Sequence, residues 1–146
     1  FVAPVDHPLA IAGRVPATLL GEYDFIVREP GSGTRAALEK FLLNQHVELR
    51  VIMEMASNET IKQAVMAGMG LSFLSLHTIG LELQNRLITV LDVEDAPVVR
   101  AWNVVHTLSK LLSPAAEAFR YFVLERGEAY LAEHFPAHFV GPERLG

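Results

Sequence analysis

The fold is decided by the stretch Arg28-Glu29-Pro30-Gly31-Ser32-Gly33-Thr34-Arg35, which separates a short apolar run from an amphipathic segment. The apolar run, residues 25–27, consists of residue types that favour a buried β-strand. Beyond the stretch, Leu38, Phe41 and Leu42 recur at the spacing of one helix face. The stretch is therefore predicted to lead the chain from a strand into a helix through a turn that contains two glycines.

Two more elements are indicated directly downstream. Apolar and charged residues alternate from Val47 to Met55, broken only at Ile52, and this period of two predicts a strand. Ser57 then offers an N-cap for a helix, and Glu59 in the first turn would complement the helix dipole. A second strand-to-helix connection is therefore expected at this point.

The rest of the chain continues the alternation of strands and helices. The expected elements are a buried strand at Leu71–Ser75, a brief helix at Thr78–Leu83, strands at Leu87–Val93 and Val99–His106, and a helix from Ser113-Pro114 that ends or bends at Gly127. Residues 9–22 are expected to form a linker. This order predicts an α/β fold with a largely parallel sheet and right-handed crossovers.

Composition and charge restrict what the chain can bind. Hydrophobic residues make up 51% of the sequence, which supports a buried core. Twelve basic and seventeen acidic side chains give a net charge of −5, which is unfavourable for direct contact with nucleic-acid phosphates. The chain has no cysteine, which excludes disulfides and thiolate metal sites and is compatible with the cytoplasm. Residues 63–81 are uncharged but contain three glycines, and they are interpreted as a helix end and a buried strand rather than a membrane span.

The first helix start carries groups that suit an anion. Backbone N–H groups, two hydroxyls and a guanidinium are predicted at this electropositive end, on Ser32, Gly33, Thr34 and Arg35. The alternative is local: a hydroxyl caps the helix and the guanidinium pairs with a surface acid. Arg28, just before the turn, is expected to pair with Glu29 or Glu54 rather than face a cleft.

Two later segments are further candidates for ligand binding. Ser57 and Asn58 repeat the arrangement at the next helix start, although plain capping explains them equally well. His77 and Thr78 follow a predicted strand at its carboxyl end, where open α/β sheets have their ligand crevices. The alternative for the histidine is a structural, hydrogen-bonded role.

No metal site, catalytic site or dinucleotide site is predicted. His134 and His138 have the spacing of a helical metal pair, but Pro136 between them breaks the required geometry. No residue pattern supplies an activated nucleophile or paired carboxylates. The glycines at 31 and 33 lack the third glycine and the acidic partner of a dinucleotide fingerprint. The chain is therefore expected to have no cofactor and not to be an enzyme.

Five segments in one order resemble a known family. These are residues 28–35, 57–62, 65–75, the turn at 85–87 and the late strand–helix pair. Together they are similar to the effector-binding (substrate-binding-like) domain of LysR-type transcriptional regulators, over Phe1 to about His134. Within that family, residues 77–78, 100–106 and 110–116 look most like the regulators of carbon-fixation (Calvin cycle, RuBisCO) operons.

The resemblance implies a fold like that of type 2 periplasmic binding proteins, with two α/β lobes and an effector cleft between them. Residues 1–21 would form the end of the first lobe and a crossover, residues 22–97 the second lobe, and residues 98–146 the return to the first lobe and its C-terminal helix. The second lobe would be complete and the first partial. The DNA-binding head would lie outside this sequence.

The function implied by the resemblance is that of a cytoplasmic sensor. Its effector would be a small anionic metabolite, such as a phosphorylated sugar, a phosphorylated acid or NADPH, and both serine-bearing helix starts would face the cleft. The partners implied are a second copy or three further copies of the chain, as homodimer or homotetramer, and DNA only through the absent N-terminal domain, with no membrane. The alternative is a secreted solute-binding protein of the same fold.

Overall fold

The computed structural model describes residues 1–100, 103–107, 109 and 111–134. The chain divides into two compact units, Phe1–Val98 and Val99–Gly146. The strands of the described residues are β1 (Val2–Pro4), β2 (Arg14–Val15), β3 (Asp24–Arg28), β4 (Arg50–Met55), β5 (Leu71–Ser72), β6 (Ile88–Val90) and β7 (Asp92–Val93). The α-helices are α1 (Pro8–Ile11), α2 (Gly33–Gln45), α3 (Asn58–Met66), α4 (Gly80–Gln84) and α5 (Pro114–His134), and 3-10 turns lie at Ala17–Glu22 and Leu76–Thr78.

A five-stranded sheet in the order β4-β3-β5-β1-β6 organises the first unit. β3 pairs in parallel with β4 and with β5, whereas β1 runs antiparallel to both β5 and β6. The expected largely parallel sheet is confirmed, with β1 as its antiparallel member. A separate parallel pair joins β2 to β7.

Two apolar clusters cover the two faces of this sheet. On β3, Phe25 and Val27 belong to one cluster and Ile26 to the other, because successive strand residues point to opposite faces. α2 contributes Leu38 and Phe41 to the first cluster, while α3 contributes Ile61, Ala64 and Val65 to the second. The apolar face predicted for each helix is therefore the face that is buried, and α2 and α3 cover opposite sides of β3.

The helices expected after residues 28–35 and after Ser57 are confirmed, and so is the strand between them. α2 ends at Gln45, before Val47, and α3 begins directly after Ser57. β4 starts at Arg50, three residues later than the alternation indicated, and it lies at the edge of the sheet. An edge strand has one open side, and Val51 and Ile52 are both about two-fifths exposed.

Several expectations about individual segments are wrong. The described residues of segment 99–106 form no strand; Val99 and Val105 are 84% and 85% exposed, and an alternating pattern gives a strand only where a neighbour supplies ladder hydrogen bonds. The strand expected over 87–93 is interrupted at Leu91, which separates β6 from β7. Residues 9–22 contain α1, β2 and a 3-10 turn rather than a simple linker.

The last helix starts as expected but does not stop at Gly127. Ser113 Oγ accepts a hydrogen bond from the Ala116 amide at 3.3 Å, so the predicted cap is confirmed. α5 then runs unbroken to His134. A glycine inside a helix costs roughly 0.5–1 kcal/mol relative to alanine, which does not end a helix of this length. Its apolar stripe includes Phe119, which is 61% exposed.

Candidate functional site

The candidate site lies where β3 and β4 end. These strands are parallel neighbours, and Arg28 is in register with Met55, so their carboxyl ends lie side by side. The Glu29 amide continues the contact by donating to the Met55 carbonyl at 3.2 Å. α2 follows β3 and α3 follows β4, and this edge of an open α/β sheet is where ligand crevices form.

Ser32 caps the N-terminus of α2. Ser32 adopts an extended conformation and its Oγ accepts a hydrogen bond from the Thr34 amide at 3.2 Å. Gly31, just before it, has a φ of +87°, a conformation that favours glycine. Gly33 begins the helix and is exposed. The capping role that the sequence left open is therefore observed for Ser32, and its hydroxyl lies beside the exposed first turn.

The start of α3 repeats this geometry and adds a contact to β3. Ser57 Oγ accepts from the Thr60 amide at 3.4 Å. Asn58, the first residue of α3, accepts a hydrogen bond at its Oδ1 from Arg28 Nη1 at 2.6 Å. Arg28 therefore joins the end of β3 to the start of α3.

Arg28 is also paired with its neighbour in the sequence. Its Nε lies 2.7 Å from Glu29 Oε2 and its Nη2 lies 2.9 Å from Glu29 Oε1, a two-point contact. The side chain of Arg28 is 18% exposed and that of Glu29 is 37% exposed. The hydrogen bonds from Arg28 hold the pKa of the Glu29 carboxyl below its ordinary value. Of the two ion-pair partners expected for Arg28, Glu29 is thus the one observed.

Arg35 lies against the same edge but points along α2. Its Nε donates to Glu39 Oε1 at 2.6 Å, one helical turn away, and its Nη1 donates to the Arg28 carbonyl at 3.3 Å. Glu54 on β4 lies 3.7 Å from the same guanidinium. Pairing with a surface acid, the local alternative for this residue, is therefore observed, and Arg35 also supports the backbone at the end of β3.

His77 and Thr78 lie on the other flank of β3, after β5. They form part of a short 3-10 turn, in which Thr78 Oγ1 donates to the Ser75 carbonyl at 2.8 Å. The carbonyl of Thr78 accepts a hydrogen bond from Lys62 Nζ at 3.1 Å, while His77 is exposed. The turn is thus connected to α3 through its backbone.

Lys62 was not singled out from the sequence, although a signal was present. It follows Ile61 on the apolar face of α3, where a charged residue needs a partner, and Glu59 lies three residues before it. The structure places Lys62 Nζ 2.7 Å from Glu59 Oε1 and 2.9 Å from Glu82 Oε1, with only 6% of the lysine side chain exposed. Burial alone would lower the pKa of Lys62, but the two carboxylates outweigh it and raise that pKa.

A second concavity lies at the opposite edge of the sheet. This cleft of about 380 Å³ is bordered by the amino ends of β3, β4 and β5, with His7 and Tyr23 in its wall. Its lining includes one arginine, Arg50, which is paired with Asp24 at 2.5 Å, and a second carboxylate, Asp6. Because two carboxylates oppose one arginine there, we locate the candidate site at the carboxyl ends instead, where α2 and α3 begin.

The part of the chain that the structure describes offers neither a cluster of metal ligands nor a helix suited to a membrane. Within the described ranges, no group of three or more histidine, aspartate or glutamate side chains is arranged to hold a metal ion. His138 and Trp102 lie outside the described residues. None of the helices described here combines the length and apolar character needed to cross a membrane.

The chain matches known proteins over nearly its full length. The family model for the LysR substrate binding domain matches residues 1–128. A RuBisCO operon transcriptional regulator from Allochromatium vinosum is 50% identical over 123 residues, covering 84% of this chain and 41% of that protein. The regulator CbbR from Rhizobium meliloti is 44% identical over 145 residues, covering 97% of this chain and 46% of that protein. The chain thus spans less than half the length of these two relatives.

Solved structures agree with the sequence matches. The regulatory domain of CcmR from Synechocystis PCC6803, in complex with 2-PG, is 38% identical with a TM-score of 0.76, covering 93% of this chain and 62% of that one. The effector binding domain of QuiR, in complex with shikimate, covers 88% of this chain and 60% of that one at 18% identity and a TM-score of 0.69, and supports the fold alone.

These matches confirm three expectations. The fold is like that of periplasmic binding proteins, the similar curated proteins are transcriptional regulators, and regulators of RuBisCO operons are among them. The boundaries expected for the two lobes, with residues 22–97 as the second lobe, stay a prediction. The family model and the relatives together establish that this chain belongs to the LysR substrate-binding domain family.

Proposed function

We propose that this chain senses a small phosphorylated anion at the carboxyl ends of β3 and β4, as the effector-binding part of a LysR-type transcriptional regulator. The observation that carries the proposal is the convergence of two helix starts and a guanidinium at one sheet edge: Ser32, Ser57 and Arg28. Helix N-termini attract negative charge, and the fork of an arginine suits phosphate and carboxylate oxygens.

The chemistry of the ligand is suggested by a relative. The CcmR regulatory domain, 38% identical to this chain, was solved in complex with 2-PG, which is 2-phosphoglycolate. This small acid has a phosphate at one end and a carboxylate at the other, and the two adjacent helix starts of this chain offer a donor set for each. Phosphorylated sugars, other phosphorylated acids and NADPH belong to the same class of candidate.

In the proposed site, Ser32, Gly33 and Thr34 supply hydroxyl and backbone N–H donors at the first helix start. Ser57 and Asn58 supply donors at the second helix start. Arg35 supplies positive charge and supports the end of β3, while the 3-10 turn would provide a further wall, through His77 and Thr78. A ligand that prefers one arrangement of the two lobes would shift the protein toward it, since equal affinity for both shifts nothing.

The rest of the regulator is part of the same proposal. The net charge of −5 is unfavourable for phosphate contacts, so DNA would be bound by a segment outside these 146 residues. Two or four copies of the protein would carry the signal to it. A solute-binding role has no observation in its favour, because the similar curated proteins are transcriptional regulators.

The proposal is tested by thermal denaturation of the 146-residue chain with 2-phosphoglycolate, and with glycolate as the ligand that lacks the phosphate. Binding to the native state should raise the free energy of unfolding by about 2.7 kcal/mol at a ligand concentration one hundred times the Kd. The shift should be absent for glycolate and abolished by combining Ser32→Ala with Ser57→Ala.

Ser113→Ala is the matched control, since it removes a capping hydroxyl from α5 instead. Each cap contributes on the order of 1 kcal/mol, so the double variant and Ser113→Ala should both stay folded. A full 2-phosphoglycolate shift in the double variant would contradict the site. Isothermal titration calorimetry with 2-phosphoglycolate, a phosphorylated sugar and NADPH completes the test, and failure of all three to bind would contradict the function.

A further inference from the structure

We propose that Glu29 is an internal competitor of the effector: its carboxylate pairs with Arg28, and an anionic ligand must displace it. The inference rests on the proposed function, because it concerns the same sheet edge. It assigns Arg28 as the direct anion ligand and Glu29 as the residue that lowers the affinity of the anions that bind there.

The geometry of the pair is that of a bound anion. Glu29 presents both of its carboxylate oxygens to two nitrogens of Arg28, at 2.7 and 2.9 Å, as a planar oxyanion ligand would. A third nitrogen of Arg28 donates to Asn58 at 2.6 Å, which fixes the guanidinium beside the start of α3. The part of the arginine that faces Glu29 is therefore already shaped and oriented for a carboxylate or a phosphate.

The surroundings of Glu29 allow it to leave. Its side chain is 37% exposed, so the displaced carboxylate can rotate into water without becoming a buried, unpaired charge. The backbone does not depend on the pair, because the Arg28 carbonyl is held by Arg35 and the Glu29 amide by the Met55 carbonyl. Exchange at Arg28 therefore changes one side-chain partner and leaves the ends of β3 and β4 in place.

Competition by the Glu29 carboxylate affects which ligands occupy Arg28 at a given concentration. A ligand that presents a single carboxylate to Arg28 replaces like with like and gains little. A phosphate carries more charge and a third acceptor oxygen, so it interacts more strongly with the guanidinium and with nearby N–H donors. Displacing Glu29 lowers the affinity of every ligand at Arg28 by the same factor, so at a given concentration only the more strongly bound phosphate would occupy the site.

The test compares Glu29→Gln and Glu29→Asp with the unmodified chain by isothermal titration calorimetry with 2-phosphoglycolate and glycolate. Glu29→Gln removes the competing charge and should bind 2-phosphoglycolate about tenfold more tightly. Glu29→Asp keeps the charge but is one methylene shorter, so it loses the two-point contact and should also bind more tightly. Any ligand that binds Arg28 should gain by a similar factor, because each must displace the same carboxylate.

Glu48→Gln is the control for net charge, because Glu48 is exposed and precedes β4 at the opposite end of that strand. Its affinity should equal that of the unmodified chain. If the unmodified chain binds 2-phosphoglycolate and neither Glu29 variant binds it more tightly, the competing role of Glu29 is overturned and the proposed function stands. If none of the proteins binds 2-phosphoglycolate, a phosphorylated sugar or NADPH, both are overturned.

Discussion

Lys62 and Arg28 are two cations whose side chains each hydrogen-bond to a residue of α3, yet their surroundings differ. Lys62 is 6% exposed and its partner Glu82 is 12% exposed, whereas Arg28 is 18% exposed and its partner Glu29 is 37% exposed. The partners of Lys62 come from α3, from α4 and from the turn between β5 and α4. The carboxylate partner of Arg28 is the next residue in the chain.

This difference separates a structural ion pair from an exchangeable one. Removing one member of a buried pair leaves an uncompensated charge in a region that water does not reach, and this typically costs 3–5 kcal/mol. An exposed pair contributes about 1 kcal/mol or less, because water can replace either partner. Lys62 therefore fixes α3 to the 77–78 turn, while Arg28 can change partners without loss of the fold.

The largest effect is expected from Lys62→Met. Glu82 would then be buried with no cation, and we expect the free energy of unfolding to fall by about 3 kcal/mol or more. Urea denaturation followed by circular dichroism at pH 7 would measure it. The matched double variant, Lys62→Met with Glu82→Gln, should recover much of the loss, because residue 82 then carries no charge and the other partner, Glu59, is exposed to water. A loss below about 1 kcal/mol in the single variant would contradict the structural role.

Arg28→Gln is expected to lower stability less than Lys62→Met does, and to act mainly on ligand binding. Loss of the guanidinium should weaken 2-phosphoglycolate binding by tenfold or more, which corresponds to about 1.4 kcal/mol, measured by isothermal titration calorimetry. Stability should change by about 1 kcal/mol or less, since more than a third of the Glu29 side chain is exposed and water can replace the arginine as its partner. Arg50→Gln removes an arginine paired with Asp24 at the opposite edge and should leave affinity unchanged. Equal losses of affinity in the two variants would contradict the assignment of Arg28.

The sequence predicted the helix starts because the interactions that form them are local. A serine cap, the glycines of the first turn and the apolar spacing of α2 all act within a few residues of Ser32. The same holds for Ser57 and α3. A carboxyl-end site was expected from the sequence for His77 and Thr78, and the family resemblance implied that both serine-bearing helix starts face a cleft; the site itself stays a prediction.

What the sequence did not predict depends on contacts between distant segments. The bond from Arg28 to Asn58 joins residues 30 positions apart, and that from Lys62 to Thr78 joins residues 16 apart, so neither has a local pattern. The expected strand at 99–106 fails for the same reason: alternation describes one strand and says nothing of its partner. Sequence patterns thus indicated local pairings, such as that of Arg28 with Glu29, but not the bonds that join distant segments.

The smallest loss of stability is expected on lowering the pH. This loss tests whether Lys62 holds Glu82 ionised, as a buried ion pair should. Burial would raise the pKa of Glu82, but the hydrogen bond and charge of Lys62 hold that pKa below its ordinary 4.5. The unfolded chain then takes up a proton first, so the stabilisation is present above pH 4.5 and is lost as pH falls through the lower native pKa. The loss should be smaller than in Lys62→Met, because a protonated Glu82 still accepts a hydrogen bond. Urea midpoints of the unmodified chain and Glu82→Gln should converge below pH 4.5, and a constant difference down to pH 3 would show that the ion pair does not hold Glu82 ionised.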